Sequence, residues 1–332
     1  MSLKIADLLN WTRALVNMEI NFLSTFRWLK VDAAPGVYDL LPTVSVVTDS
    51  KIRKSKLTEE FRKLAGEIEY RHLVDASHIL ICRPEHSSAF KEFEHSEPAL
   101  LTWLVWLGWL IEDSWLVKDN CIGCEVAYCN MRLGGLNHWT NNGIYSTLTT
   151  AKGEMQQDVS FSAEELAEWL SITDEVRTLK HQKGYSFKFS PVSKESSRFD
   201  RFLSFVHASR TVPYPALKIA QICSALESLF STTTTELTHR LSERVAFFLG
   251  GDSKEMEERY QFMKRAYAIR SQVTHGSHIK HSDLEAAPQV SQGLQDLCRR
   301  IVFDILRNKE KQALVYGSNE YIENYFRRIL FS

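Results

Sequence analysis

In the last third of the chain, apolar side chains recur at helical spacing in four successive runs. Ile219, Cys223, Leu226 and Phe230 mark the first; Leu237, Leu241, Val245 and Phe248 the second; Met256, Tyr260, Met263 and Tyr267 the third; and Val290, Leu294, Leu297, Ile301 and Ile305 the fourth. Steps of three and four keep each set on one stripe of a 3.6-residue helix. Thr233-Thr234-Thr235-Glu236 forms a capping box for the second run and Gly250-Gly251 ends it, while Asp252 followed by Glu255 opens the third. The polar stretch 190–197 reads as a linker and 199–210 as a connecting helix. The expected division is therefore a domain over 1–197 and a second over 198–332, the latter a small antiparallel helical bundle.

The first 197 residues mix periods. Ile5, Leu8, Leu9, Leu15, Phe22, Phe26 and Leu29 predict a long opening helix, punctuated by Pro35-Gly36. A β-rich run follows at 44–48, a helix at 58–72 and a short apolar run at 78–82. Residues 99–111 are the most apolar stretch and stop at Glu112-Asp113, short of the ~20 residues that span a bilayer. They predict a buried helix, with Trp103, Trp106 and Trp109 in its packing rather than as platforms for nucleic-acid bases. Asn141-Asn142-Gly143 is turn material, Ser162 to Glu165 a capping box opening a short helix, and 184–190 alternates like a strand. The fold class expected is α+β overall: an N-terminal mixed α+β domain, then an all-α bundle.

Composition narrows the classes. With 332 residues, 44% hydrophobic and 24% charged, the chain suits a soluble protein of about two domains. A formal net charge of −1 means that any nucleic-acid surface is a local patch. Residues 1–10 carry no basic stretch, apolar core and cleavage site of a secretory signal, so a cytoplasmic location without a membrane partner is expected. Six cysteines are too scattered for a disulfide scaffold. Cys121, Cys124, Cys129 and His138 have the donor types of a zinc site. No second Cys-x-x-Cys accompanies them, however, and residues 125–128 read as a strand with alternate residues buried.

The remaining chemistry lies at the end of the third helical run. Seven residues beyond Met263, the next place on its stripe is Arg270, a cation on an apolar face. His275 stands five residues later, about 140° further round an uninterrupted helix. The glycine after it, Gly276, permits the left-handed turn that would free the histidine from helical geometry and let it approach the arginine, in its own chain or across a dimer. Spacing alone carries little weight, since Arg132 with His138 and Arg201 with His207 are similar pairs. The surroundings add more: Lys264, Arg265, His278, Lys280 and His281 share with Arg270 and His275 a window, 264–281, without Asp or Glu. Such a window attracts phosphates. Cleaving RNA without a metal requires a base for the 2′-hydroxyl or an acid for the leaving oxygen, and a cation for the phosphorane. Histidine and arginine suit these roles.

The bundle with Arg270-x4-His275, its lead-in Tyr267-Ala268-Ile269, the trailing Gly276, the string 225–230 (ALESLF) and the string 240–246 (RLSERVA) resembles the HEPN superfamily, in particular its Apea-like branch. The resemblance covers roughly 212–310. It implies a four- or five-helix bundle that dimerises, so that two Arg-x4-6-His motifs share a cleft where RNA is cut without metal or other cofactor. Many members are toxins or antiviral defence effectors, which implies a protein trigger or antitoxin as a partner. By this resemblance Arg270 and His275 are catalytic, Glu227 on the facing helix orients one of them, and Tyr267 and Ser271 support the site. Ser271 departs from the Asn, Asp or His that many family nucleases carry there, and Ser277 from the tyrosine of one toxin group. The alternative is a noncatalytic HEPN-like dimerisation or interaction scaffold, in which Arg270 pairs with a buried carboxylate such as Glu227 and His275 merely caps its helix. The N-terminal domain is expected to sense a trigger or guide substrate.

Overall fold

The computed structural model describes residues 19–133, 136–144, 146–184, 190, 193–233, 237–275 and 278–331. The chain is α+β, with its sheet in the N-terminal region and helices in the C-terminal region. It forms two compact units. One comprises Met1–Thr147 with Gln157–Asp174, the other Leu148–Gln156 with Glu175–Ser332. The division expected at 197/198 is thus displaced. A single helix, Ala163–Gln182, runs through the point where the units part, and a continuous helix gives no Pro, Gly or polar break to read.

The first unit is built on a six-stranded antiparallel sheet in the order β3-β4-β5-β1-β6-β7. Its strands are β1 (Glu19–Ser24), β3 (Val37–Leu41), β4 (Val44–Val47), β5 (Ile79–Ile81), β6 (Ala127–Leu133) and β7 (Leu136–Asn142). A separate parallel pair joins β2 (Leu29–Asp32) to β8 (Val159–Ser162). The opening helix expected over 5–29 is corrected from Glu19 onward; its earlier part lies outside the described residues. Spacings of four and three among Phe22, Phe26 and Leu29 fit a helix, but Ile20 and Phe22 are buried while Glu19 and Asn21 are exposed, a period of two. All six residues of β1 pair with β6, a long-range partner that overrides the local pattern.

The two sides of β1 bury different partners. Phe22 stacks on Trp103, 4.9 Å between ring centroids, within helix α4 (Ser96–Asp113); Trp103 is core as expected, while Trp106 and Trp109 are only half-buried. On the other side, Leu23 and Tyr128 cluster with Phe61 and Leu73. These come from α2 (Glu59–Ala65) and α3 (Glu67–Asp75), which follow α1 (Ser50–Lys56). The helix expected at 58–72 is therefore two, because Gly66 at φ +89° adopts a conformation that side chains resist. The strand expected at 184–190 falls on residues 185–189, outside those described. Ser162 and Glu165 do form a reciprocal capping box, opening the 20-residue helix α5 (Ala163–Gln182) rather than a short one.

The cysteines do not make a zinc site. Among the described residues no three His, Cys, Asp or Glu side chains gather as ligands. Cys121 exchanges hydrogen bonds with the backbone of Gln157, and His138 is exposed on β7. Burial pushes the Cys124 and Cys129 thiols up to about 12, against the thiolate that zinc binds.

The second unit's helices are α6 (Arg198–Arg210), α7 (Pro215–Phe230), α8 (Leu237–Leu249), α9 (Ser253–Thr274), α10 (His281–Arg307), α11 (Lys309–Tyr316) and α12 (Asn319–Leu330). Helix α7 touches α6, α8, α9 and α10, and its Ile219, Cys223, Leu226 and Phe230 are fully buried. Gly250 and Gly251 take φ +62° and +108°, turning the chain so that His239 of α8 meets Tyr260 of α9. Asp252 and Glu255 cap α9 reciprocally. The capping box expected at 233–236 includes residues 234–236, which lie outside the described set.

Candidate active site

Helix α9 buries Met263, Ala266, Tyr267 and Ile269, and Arg270 continues that face. A charge there needs a partner. It has two. The Arg270 guanidinium lies over the Tyr267 ring at 5.1 Å, and its Nη2 is 3.3 Å from Oε1 of Glu227 on α7. Glu227 sits one turn after Cys223, so both face α9. Burial, then the Glu227 charge and a hydrogen bond to it, push the Tyr267 phenol up to about 12. Burial first, then the same carboxylate, push the Cys223 thiol up to about 12, with Arg270 opposing. Cys223 was not expected at the site; its place one turn before Glu227 was the available signal.

The Arg270–Glu227 pair is close but poorly closed. Each side chain keeps 20% of its surface exposed, yet Arg270 Nε and Glu227 Oε1 are buried atoms without a hydrogen-bond partner. At 3.3 Å the charges attract without the alignment of a hydrogen bond. An unsatisfied buried polar atom costs about 1–3 kcal/mol, so this pair stabilises the fold less than a fully closed one would.

His275 caps its helix, as expected, but does not approach Arg270 within the chain. Helix α9 runs through Thr274, and the His275 N–H still donates to Ser271 O at 3.1 Å, so the histidine caps the helix at φ −95°. Its side chain is exposed and makes no hydrogen bond or ion pair among the described residues. Arg270 turns inward to α7, and His275 lies five residues on, ~7.5 Å along the axis and about 140° round. Within one chain the two are therefore not brought together. Gly276 and Ser277 lie outside the described residues. Neither a family model, a curated protein nor a solved structure matches the chain.

The remaining site residues scatter around the end of α9. Ser271 contributes its carbonyl to His275 and to the Thr274 hydroxyl. Lys264 leans over the Tyr260 ring at 5.4 Å, and Arg265, His278, Lys280 and His281 are exposed. The window without acids in sequence is not acid-free in space. His281 Nδ1 is 3.3 Å from Glu285, and Asp283 accepts from Gln272 at 2.9 Å. Gln272, which the pattern did not single out, also accepts from the Lys280 N–H, so one amide ties the end of α9 to the start of α10. No helix among the described residues is long and apolar enough to cross a membrane.

Proposed function

We propose that the chain is a HEPN-type endoribonuclease whose reaction centre is completed by two copies, each supplying Arg270 to the other's His275. The observation that supports this reading is the half-buried Arg270, oriented by Glu227 and Tyr267 but left with unsatisfied hydrogen-bonding capacity, five residues before an exposed and uncommitted histidine. In the proposed reaction a ribose 2′-oxygen attacks phosphorus as its 5′-oxygen leaves, giving a 2′,3′-cyclic phosphate. His275 moves the proton, and Arg270 stabilises charge on the phosphorane. A toxin or antiviral effector role, with a trigger or antitoxin as partner, belongs to the same proposal.

Mixing variants tests the composite centre. Arg270→Ala and His275→Ala should each lower RNA cleavage by ~10²-fold or more while remaining folded, with EDTA without effect on the unmutated protein. Co-refolded, the two dead variants should recover about a quarter of normal activity, since half the dimers are mixed and each mixed dimer holds one intact centre of two. Cleavage surviving in both single variants sinks the nuclease reading.

One observation favours the second reading, a noncatalytic dimerisation or interaction scaffold. Arg270 is already ion-paired, and His275 does not reach it within the chain. A scaffold predicts no cleavage by the unmutated protein, and partner capture that survives both substitutions.

A further inference from the structure

The sheet of the first unit carries a polar row in an unexpected place. Asn21 of β1 pairs directly with Asn130 of β6, and Asn130 with Trp139 of β7, so three adjacent strands present these side chains in one line on one face. The next row along that face is apolar, with Leu23 and Tyr128 packed under Phe61, whose ring lies 5.6 Å from Trp139. On the other flank of the polar row the helices do not close down. A cavity of about 210 Å³ remains, floored by Asn130 and Trp139 and rimmed by Lys56, Glu60 and Arg132.

Asn130 is only 5% exposed, and its Oδ1 has no hydrogen-bond partner; the Trp139 Nε1 has none either. An unmet acceptor and an unmet donor thus belong to paired residues that line one cavity, in a strand position where an apolar pair would be the stable choice. Their complement is a planar group with a donor and an acceptor on one edge, the arrangement on every nucleobase. The rim has matching charge. Lys56 Nζ touches Asn21 Oδ1 at 3.4 Å and has no carboxylate partner among the described residues, whereas Arg132 is held loosely by Glu60 at 3.5 Å and Glu19 at 3.9 Å.

We propose that this cavity binds a nucleoside phosphate, with the base edge at Asn130 and Trp139 and the phosphate at Lys56. The inference does not depend on the nuclease reading, because every residue it uses lies in the first unit.

Calorimetric titration of the full chain with adenosine, guanosine, cytidine and uridine 5′-monophosphates tests it. At least one should bind saturably at one site per chain. Lys56→Gln, at the cavity rim, should weaken that nucleotide at least tenfold and leave the corresponding nucleoside unaffected. Asn130→Leu should abolish binding of both while preserving the circular dichroism spectrum. Arg270→Met should change neither, which separates this cavity from the candidate active site. Absence of saturable binding by all four, binding that survives both cavity variants, or inorganic phosphate binding as tightly as the nucleotide would overturn the proposal.

Discussion

Among the arginine–glutamate pairs that join helices in the C-terminal unit, two are built to different standards. Arg244 of α8 donates to Phe230 O at 2.6 Å, to Thr232 Oγ1 at 3.0 Å and to Glu323 of α12 at 2.6 Å, and it covers the Phe326 ring. Glu323 is closed in turn by Arg240 and by the Thr232 hydroxyl. Arg270 and Glu227 have one another at 3.3 Å, the Tyr267 ring under the guanidinium and its hydroxyl on Glu227, and buried Arg270 Nε and Glu227 Oε1 left unbonded. Charge proximity is common to both. What separates them is the closure of the hydrogen-bond network.

The largest test of that contrast replaces each arginine by methionine, which keeps the packing of the stem. Arg244→Met should cost ~3–5 kcal/mol in urea unfolding, because Glu323 and two further acceptors lose a nearly buried partner. Arg270→Met should cost less, ~1–2 kcal/mol, since the pair it removes was never fully closed and Glu227 keeps its hydrogen bond with Tyr267. Equal costs would break the comparison and recast Arg270–Glu227 as structural.

A pH series sharpens the same contrast. Burial pushes the Glu323 carboxyl up, but hydrogen bonds from Thr232 and Arg244 and the charges of Arg244 and Arg240 outweigh it and hold it below the ordinary carboxylate range. A carboxylate lowered in the folded state contributes stability above its unfolded value of ~4.3 and loses it as pH falls through the folded one. The stability gap between the parent and Glu323→Gln should therefore be widest near neutrality and close in acid below pH ~4. A gap constant from neutrality into acid would show that the carboxylate's charge adds nothing to the clamp.

Much of the helical unit was legible because its signals are local. The stripes through Ile219, Leu241, Met263 and Leu294, the turn at Gly250-Gly251 and the cap at Asp252 each depend on neighbours within a few residues. Glu227 was named as the partner of Arg270 through the family resemblance, since it lies beside the apolar stripe of the first helical run rather than on it. The sheet unit was harder to read. Whether Phe22 belongs to a helix or a strand is decided by Cys129, its partner 107 residues away, and the row Asn21–Asn130–Trp139 exists only once that register is set. His275 was read correctly as the residue that caps its helix, but its approach to Arg270 was misjudged for a different reason. Gly276 suggested an early release from the helix, yet the hydrogen bond from His275 N to Ser271 O keeps it helical to its last turn.

The smallest expected effect supplies the baseline for both pairs. His281 and Glu285 form a further contact at 3.3 Å, but on the surface, with side chains 85% and 70% exposed. Water and salt screen such a pair, so Glu285→Gln should leave the unfolding midpoint unchanged. Its effect on RNA should nonetheless be measurable. Lys280, His281, Lys264 and Arg265 are exposed around the end of α9, and removing one acid from their edge deepens the local positive potential. At low ionic strength RNA binding should tighten by roughly twofold, and the gain should vanish near 1 M salt, where screening acts within ~3 Å. An unchanged affinity at low salt would mean that phosphates do not approach this face, leaving Arg270 open toward no ligand and returning the loosely closed pair to the scaffold reading.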